Sequence, residues 1–411
     1  MLPRPAIVPL METDVLIVGG GLVGGPLACA LAAAGVSATV VDAEDPKTAV
    51  APEFDGRASA VALGPQRVLA AIGLWPAIAP YAAAIEQIRV SDGPSPLFVH
   101  YDHRALGDEP FGWIVENRAM RQAILQRMVA LPALNLCAPA RLVRLERQTD
   151  KVVAELADGT SISAALAVAA DGRASPTRAA AGIGISRWDY RQTAIVCTVA
   201  HSRPHGGAAQ ERFLPSGPFA ILPLPGNRSS VVWSEKSHLV PAIMAQDDES
   251  FRRELGLRFG RFLGDIALEG PRFAYPLSIQ FADAYAAHRL VLVGDAAHGM
   301  HPVAGQGMNM GLRDVAALAE VLVDAKRLGI DLGNAAVLAC YARWRRFDNM
   351  LMLGITDGLV RLFSNDIAPL RLARDLGLAA VDRMAPLKRF FMRHAMGLVG
   401  DLPRLMKGQA L

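Results

Sequence analysis

The sequence predicts an α/β protein: a Rossmann-like domain, an inserted and mostly antiparallel β-sheet domain, and C-terminal helices. Three observations carry this expectation. A short apolar strand, a glycine-rich turn and a small-residue helix open the chain. A second apolar run, residues 290–293, leads into Gly294-Asp295 far downstream. Between the two lie β-branched stretches separated by prolines, the pattern of a sheet inserted into a nucleotide-type fold.

The elements follow in order. Residues 15–18 are apolar and β-branched, as a strand buried on both faces must be. Residues 19–21 are glycines that turn the chain. Residues 22–34 are small and apolar, so a helix there can pack closely on a sheet, and Gly35 ends it. Residues 38–41 form the next strand, closed by Asp42, which completes a βαβ unit. No charged residue occurs from Val15 to Val41. Gly19, Gly20, Gly21, Gly24 and Gly25 interrupt that run, and Glu12 and Asp14 precede it, so it reads as neither a membrane span nor a signal peptide. The expectation is a cytoplasmic protein without a span.

Residues 83–111, with Pro94, Pro96, Gly107 and Pro110, read as short strands. Residues 114–131 read as a helix with Asn117 as its candidate N-cap. Residues 152–156 and 161–165 flank Asp158-Gly159 and predict a hairpin. Residues 193–200 and 229–233 are strand-like. A long helix starts near Gly307, and the chain from Arg346 onward is helical and rich in Leu and Met. The expected division is a nucleotide domain of residues 11–82, 112–183 and 286–345, a substrate domain of residues 83–111 and 184–285, and a helical region of residues 346–411.

Composition excludes several classes. The chain of 411 residues is 52% hydrophobic and 20% charged, ordinary for a globular protein. A formal net charge of +3 gives no reason to expect nucleic acid. Cys29, Cys137, Cys197 and Cys340 are far apart and read as buried small hydrophobes. The histidines make no ligand cluster, so no metal is expected. From Arg371 to Leu411 there are eight basic and three acidic residues, so the tail is basic while the rest of the chain is slightly acidic.

Gly19-Gly20-Gly21-Leu22-Val23-Gly24 matches GxGxxG. Gly19 suits the turn, Gly21 lets a pyrophosphate approach, and Gly24 lets the helix pack on the strand. The helix N-terminus beyond offers unpaired N–H groups to phosphate. Asp42 is placed to accept ribose hydroxyls. The fingerprint alone does not separate FAD from NAD.

Two later segments do. Asp171-Gly172-Arg173-Ala174-Ser175-Pro176-Thr177-Arg178 resembles the DGxxSxxR motif of the flavin monooxygenases related to para-hydroxybenzoate hydroxylase. Gly294-Asp295-Ala296-Ala297-His298, with Pro302, Gly305-Gln306-Gly307, Asn309, Gly311 and Asp314, resembles the second FAD segment of the same family. Asp55-Gly56-Arg57-Ala58-Ser59-Ala60 is similar to that family's DxRAxAL segment. Gly112-Trp113-Ile114-Val115-Glu116-Asn117 resembles the GYxxEN segment of the ubiquinone-biosynthesis branch, and residues 356–366, TDGLVRLFSND, resemble that branch's C-terminal segment.

The resemblance implies an FAD-dependent monooxygenase that hydroxylates the ring of a polyprenyl phenol through a flavin C4a-hydroperoxide. O2 is then the co-substrate, and NAD(P)H or a protein electron donor is the reductant. Beside Gly19, Gly21, Gly24 and Asp42, it implies cofactor contacts at Arg57, Asn117, Arg121, Asp171, Gly294, Asp295, Pro302, Gly305, Gly307, Met308 and Asn309. Pro302, Gly305, Gln306 and Arg57 are the residues implied in catalysis. Asp295 would accept from ribityl hydroxyls, and N–H groups at residues 305–307 would meet the charged edge of reduced flavin. His298 is read as a turn residue rather than a flavin-side acid. Candidate partners are a ubiquinone-biosynthesis complex, a second copy of the chain, and the inner face of a membrane touched peripherally by Lys388, Arg389, Phe390, Phe391, Met392 and Arg393. Two other readings stay open: a flavin hydroxylase of another aromatic substrate, and a non-catalytic flavoprotein of a biosynthetic complex.

Overall fold

Parallel strands with near-continuous apolar sequence need cover on both faces, and the first sheet is built that way. The computed structural model describes residues 10–51, 53–93, 98–302, 305–363, 374 and 381–411. Pro94, Pro96 and the end of the TDGLVRLFSND segment, Ser364-Asn365-Asp366, lie outside the described residues. In the first sheet Leu10–Val18 pairs in parallel with Ala38–Val41 on one side and Ser161–Ala169 on the other. Leu134–Cys137 and Leu290–Leu292 extend it outward, also in parallel. The helices Gly24–Ala33 and Gln306–Arg327 take part in one large core with it.

The hairpin at Asp158-Gly159 forms, with Gly159 at φ +89°. Its second strand runs to Ala169, because after Ala164 the chain leaves its antiparallel partner and continues alongside Leu10–Val18. The expected helix at residues 114–131 is corrected. Gly112–Glu116 is a strand, and the helix is Asn117–Ala130. Trp113, Ile114 and Val115 suit a pleated surface, and they pair with Ala58–Ala62 and Ala82–Ile85 in a three-stranded sheet. Glu116, not Asn117, is at the N-cap position, without a side-chain cap.

The second sheet has eight strands and is antiparallel except for one pair, Ala208–Leu214 beside Gln87–Asp92. That pair joins the two chain segments that feed the sheet. Side chains alternate along its strands. Ile195, Cys197, Val199, Phe219, Val231 and Trp233 pack on the helices Val240–Met244 and Asp248–Phe259. Their neighbours Ala194, Val196, Ala220, Leu222, Val232 and Ser234 face the other way, into a cavity. The helix-side set is large and the cavity-side set is smaller, so one face fills a core while the other leaves room. Burying Phe219, Trp233 and Phe251 stabilises the helix side by roughly 1.5–3 kcal/mol per side chain.

The insert leaves the first domain after Gly184 and returns at Asp283, whose N–H donates to the Gly184 carbonyl at 3.0 Å. The helix Ala335–Phe363 runs unbroken through position 346, so no element ends there. Of the cysteines, Cys29 and Cys197 are buried, Cys137 is half-buried and Cys340 is exposed. The last corrects the expectation of four buried thiols; Cys340 lies on the outer face of that same helix.

Candidate active site

Two cavities adjoin: the larger reaches from the first sheet to the inserted sheet, and the smaller is lined by no residue of the inserted sheet. The larger, about 1130 Å³, is lined by Gly21, Arg57, Asn117, Arg121, Asp295, Pro302 and residues 305–309, among others. The smaller, about 690 Å³, is lined by Gly19, Gly20, Gly21, Asp42, Arg121 and Asp171, among others. Gly21, Arg121, Ala170 and Gly172 belong to both, so the two meet at the glycine turn.

The glycines have different reasons to be there. Gly19 sits at φ +100°, and a Cβ on it would lie 2.4 Å from the Ala170 carbonyl oxygen. A Cβ on Gly24 would lie 1.9 Å from the Gly19 carbonyl oxygen, so the helix can approach the turn only without one. A Cβ on Gly21 would meet nothing within 4 Å. No protein atom demands glycine at position 21, and its backbone stands open where the two cavities meet. Asp42 accepts from the N–H groups of Gly20 at 2.7 Å and Glu44 at 2.9 Å, which fixes its carboxylate at the rim of the smaller cavity.

Asp55 is the hub between the cavities. Its buried carboxylate accepts from the backbone N–H, Nε and Nη2 of Arg57, from Asn117 Nδ2 and from Arg121 Nη2. Tyr275 donates its hydroxyl at 3.3 Å, and the Arg57 guanidinium lies 4.8 Å from the Tyr275 ring centre. Burial works against the ionised carboxylate, but the hydrogen bonds and charge of Arg57 win and hold it well below the usual range. Asn117 spends its amide on Asp55 and on the Ser59 hydroxyl, so it braces the hub. Arg121 Nη1 is buried and finds no acceptor among the described residues. A buried guanidinium nitrogen left open at the junction fits an anionic group there, as a pyrophosphate would be.

The DGxxSxxR segment is a staple. Asp171 accepts from the Ser175 hydroxyl and from Thr177 N–H, and Ser175 accepts from Arg178 N–H. The buried Arg178 then donates to the carbonyl oxygens of Arg173 and Ala296. Two segments more than 100 residues apart are thereby locked together. Arg173 donates to the Ser278 carbonyl of the inserted sheet and pairs with Asp295 at 3.6 Å. Asp295 lines the larger cavity with a half-exposed carboxylate, suited to accept hydroxyls. Gly294, at φ +58°, packs on Val23 and lines neither cavity.

Gly305, at φ +61°, starts the helix Gln306–Arg327 against the larger cavity, and a Cβ on it would be 2.8 Å from Ala60. Asn309 ties this start to the neighbouring sheet by accepting from Ala62 N–H at 2.9 Å. The first N–H groups of the helix and its positive end therefore lie at the wall of the larger cavity. His298 is buried beneath, with Nε2 2.5 Å from Asp314 Oδ2. Asp314 also accepts from Gly294 N–H, Arg345 Nε and Asn349 Nδ2. His298 lines neither cavity; it holds the loop from below.

Among the predicted residues, Gly24 and Gly294 are placed for packing, and the others line one or both cavities. Asp55, Arg173 and Tyr275 were not singled out in sequence. Asp55 stood inside a recognised segment, and its role follows from partners at 57, 117, 121 and 275. Among the described residues no group of His, Cys, Asp or Glu is placed to hold a metal, and no helix is long and apolar enough to cross a membrane.

Comparison with known proteins agrees with this geometry. The FAD binding domain family matches residues 12–334. The chain is 60% identical to the ubiquinone hydroxylase UbiL of Rhodospirillum rubrum, over 97% of this chain and 93% of that protein. It is 36% identical to the 3-demethoxyubiquinol 3-hydroxylase of Escherichia coli, over 94% and 99%. In fold it matches p-nitrophenol 4-monooxygenase PnpA from Pseudomonas putida with a TM-score of 0.79 at 22% identity, covering 95% and 99%.

Proposed function

We propose, from the premise that the chain belongs to the FAD-dependent monooxygenase family of ubiquinone biosynthesis, that it hydroxylates the aromatic ring of a polyprenyl phenol in that pathway. The observation that carries the substrate class is the larger cavity. It continues from the helix start at Gly305 through an apolar chamber to the C-terminal helices, where Leu362, Phe363, Phe391 and Met392 line it.

The residues present fit FAD. Gly21, Arg121 and the first turn of the helix Gly24–Ala33 would hold the pyrophosphate, Asp42 the adenosine ribose and Asp295 the ribityl chain. When bound and reduced, the flavin activates O2, so that one oxygen atom goes to an electron-rich ring carbon and the other leaves as water. The protein supplies position and field. The first N–H groups of the helix Gln306–Arg327 would stabilise negative charge at the edge of a bound flavin, and Arg57, held by Asp55 and Tyr275, would supply a fixed cation. Pro302 and Gln306 shape the wall at this edge. The apolar side chains of Pro218, Ala220, Leu222 and Val232 would exclude water from the ring. Electrons come from NAD(P)H or an electron-transfer protein.

The test is a visible spectrum of the purified protein, followed by quinone analysis of a host lacking it. Flavin bands and an accumulated under-hydroxylated prenyl phenol are expected. Flavin bands with normal ubiquinone would discard the pathway and keep the cofactor.

A further inference from the structure

The helix Ala335–Phe363 carries a stripe of exposed apolar side chains. Phe347, 76% exposed, is followed by exposed Met350, Leu351, Ile355 and Leu362. These positions recur at three- and four-residue spacing and so share one helix face. Gly354 and Gly358 fall on the same face, where a Cβ would meet open space. The helix Ala385–Ala395 adds Phe390, 52% exposed, and Phe391. Leu362 and Phe391 are each more than 40% exposed and also line the larger cavity. The cavity therefore reaches the surface beside these two helices, and its rim is apolar. A contiguous exposed apolar face of this kind marks an interaction site.

Charge decides what covers it. Arg343 and Arg346 lie exposed near one end, and Arg389 and Arg393 lie exposed on the shorter helix. That helix holds Lys388 as well and no acid. The two acids of the longer helix, Asp348 and Asp357, are both ion-paired to arginines. A second copy docked face to face would set these cations against themselves. An anionic lipid surface would attract them while the phenylalanines enter the acyl boundary.

We propose that this two-helix face docks on an anionic bilayer, and that the substrate's apolar tail slides from the acyl layer into the cavity between Leu362 and Phe391. The second part rests on the reading of the substrate as a prenylated phenol.

The test uses the FAD-loaded protein in sedimentation with vesicles of phosphatidylcholine alone, or of phosphatidylcholine mixed with phosphatidylglycerol. Binding to the mixed vesicles and not to the neutral ones is expected. The double variants Arg389→Glu/Arg393→Glu and Phe347→Asp/Phe390→Asp are expected to lose binding about tenfold or more. Their flavin content, melting temperature and turnover of a short-chain, water-soluble prenyl phenol should stay at the parent level, while turnover of a vesicle-borne long-chain phenol falls. Equal binding by parent and charge-reversed protein would overturn the proposal, as would no binding at all. A Phe347→Asp/Phe390→Asp variant that breaks an oligomer without changing vesicle binding would overturn it in favour of a contact between copies. A parent that binds mixed vesicles but turns over no prenyl phenol would discard the substrate reading and leave the docking face standing.

Discussion

The two walls of the larger cavity are built by opposite means. The wall from the nucleotide domain is made of missing Cβ atoms and polar groups held by named partners: Gly21, Gly305, Arg57 and Arg121 around Asp55. The wall from the inserted sheet is made of alternating size, with Trp233 and Phe219 turned to the helices and Ala220 and Val232 turned to the chamber. The first wall has a fixed shape because its polar groups are tied to one another. The second is a volume, and volume can be adjusted by one side chain at a time.

The sharpest way to break this contrast is at the glycines. Gly24→Val sets side-chain atoms against the Gly19 carbonyl, a backbone atom that cannot yield, so loss of both flavin and folded protein is expected. Gly21→Ala should instead leave the melting temperature of the flavin-free protein unchanged and strongly weaken FAD binding, because only the ligand needs that space. Tight FAD binding by Gly21→Ala, read by fluorescence titration, would remove the pyrophosphate from that turn.

Next in size is Asp55→Ala. Removing one partner from a buried charge network costs about 3–5 kcal/mol, and less here because Arg57 is half-exposed. Urea unfolding should show the loss, with weaker flavin retention beside it. Asp55→Asn should recover part of both.

The seam between the walls supplies a pH test. His301 is buried with its ring 5.1 Å from Tyr190, and burial, helped by Arg173, lowers its pKa from 6.5 to about 3. The unfolded chain then binds the proton more readily, so this stabilisation is full above pH 6.5 and is lost as pH falls toward about 3. The slope from one such group is at most about 1.4 kcal/mol per pH unit. Asp314 and Asp55, held low by their cationic neighbours, act lower: their contribution is present above the ordinary value of 3.8 and is lost as pH falls below it. His301→Gln should flatten the stability curve between pH 4 and 6.5 and leave the more acidic limb. A curve of unchanged slope would dismiss His301 as its source.

The smallest effect is expected on the second wall. Ala220→Leu narrows the chamber without touching the cradle. Flavin content should be unchanged while KM for the phenol rises on the order of tenfold. An equal loss of flavin would mean the walls are not independent.

This contrast also explains what was legible in the sequence. The first wall is encoded locally: Gly19–Gly24, Asp171–Arg178 and Gly294–Asp314 are short segments whose spacing is their function. The second wall has no motif, because alternating strands carry size and not chemistry. Asp55 was overlooked for a related reason. Apart from Arg57, two residues on, its partners come from the helix Asn117–Ala130 and the inserted sheet, and no local window contains those. Residues 114–116 of the strand Gly112–Glu116 read as helix because their apolar run adjoins a true helix, and only pairing on both sides decides between them.

The hydrogen bond between Asp283 and Gly184 makes most of the second wall a cassette. A segment whose ends meet enters and leaves its host at one place, although its sheet also pairs with Gln87–Asp92 and touches Asp55 and Arg173. Its strands can be lengthened or replaced at a closure cost that grows only with the logarithm of length. A longer or shorter insert would then reshape the chamber while the turn at Gly19–Gly21, which lies in the host, keeps its place.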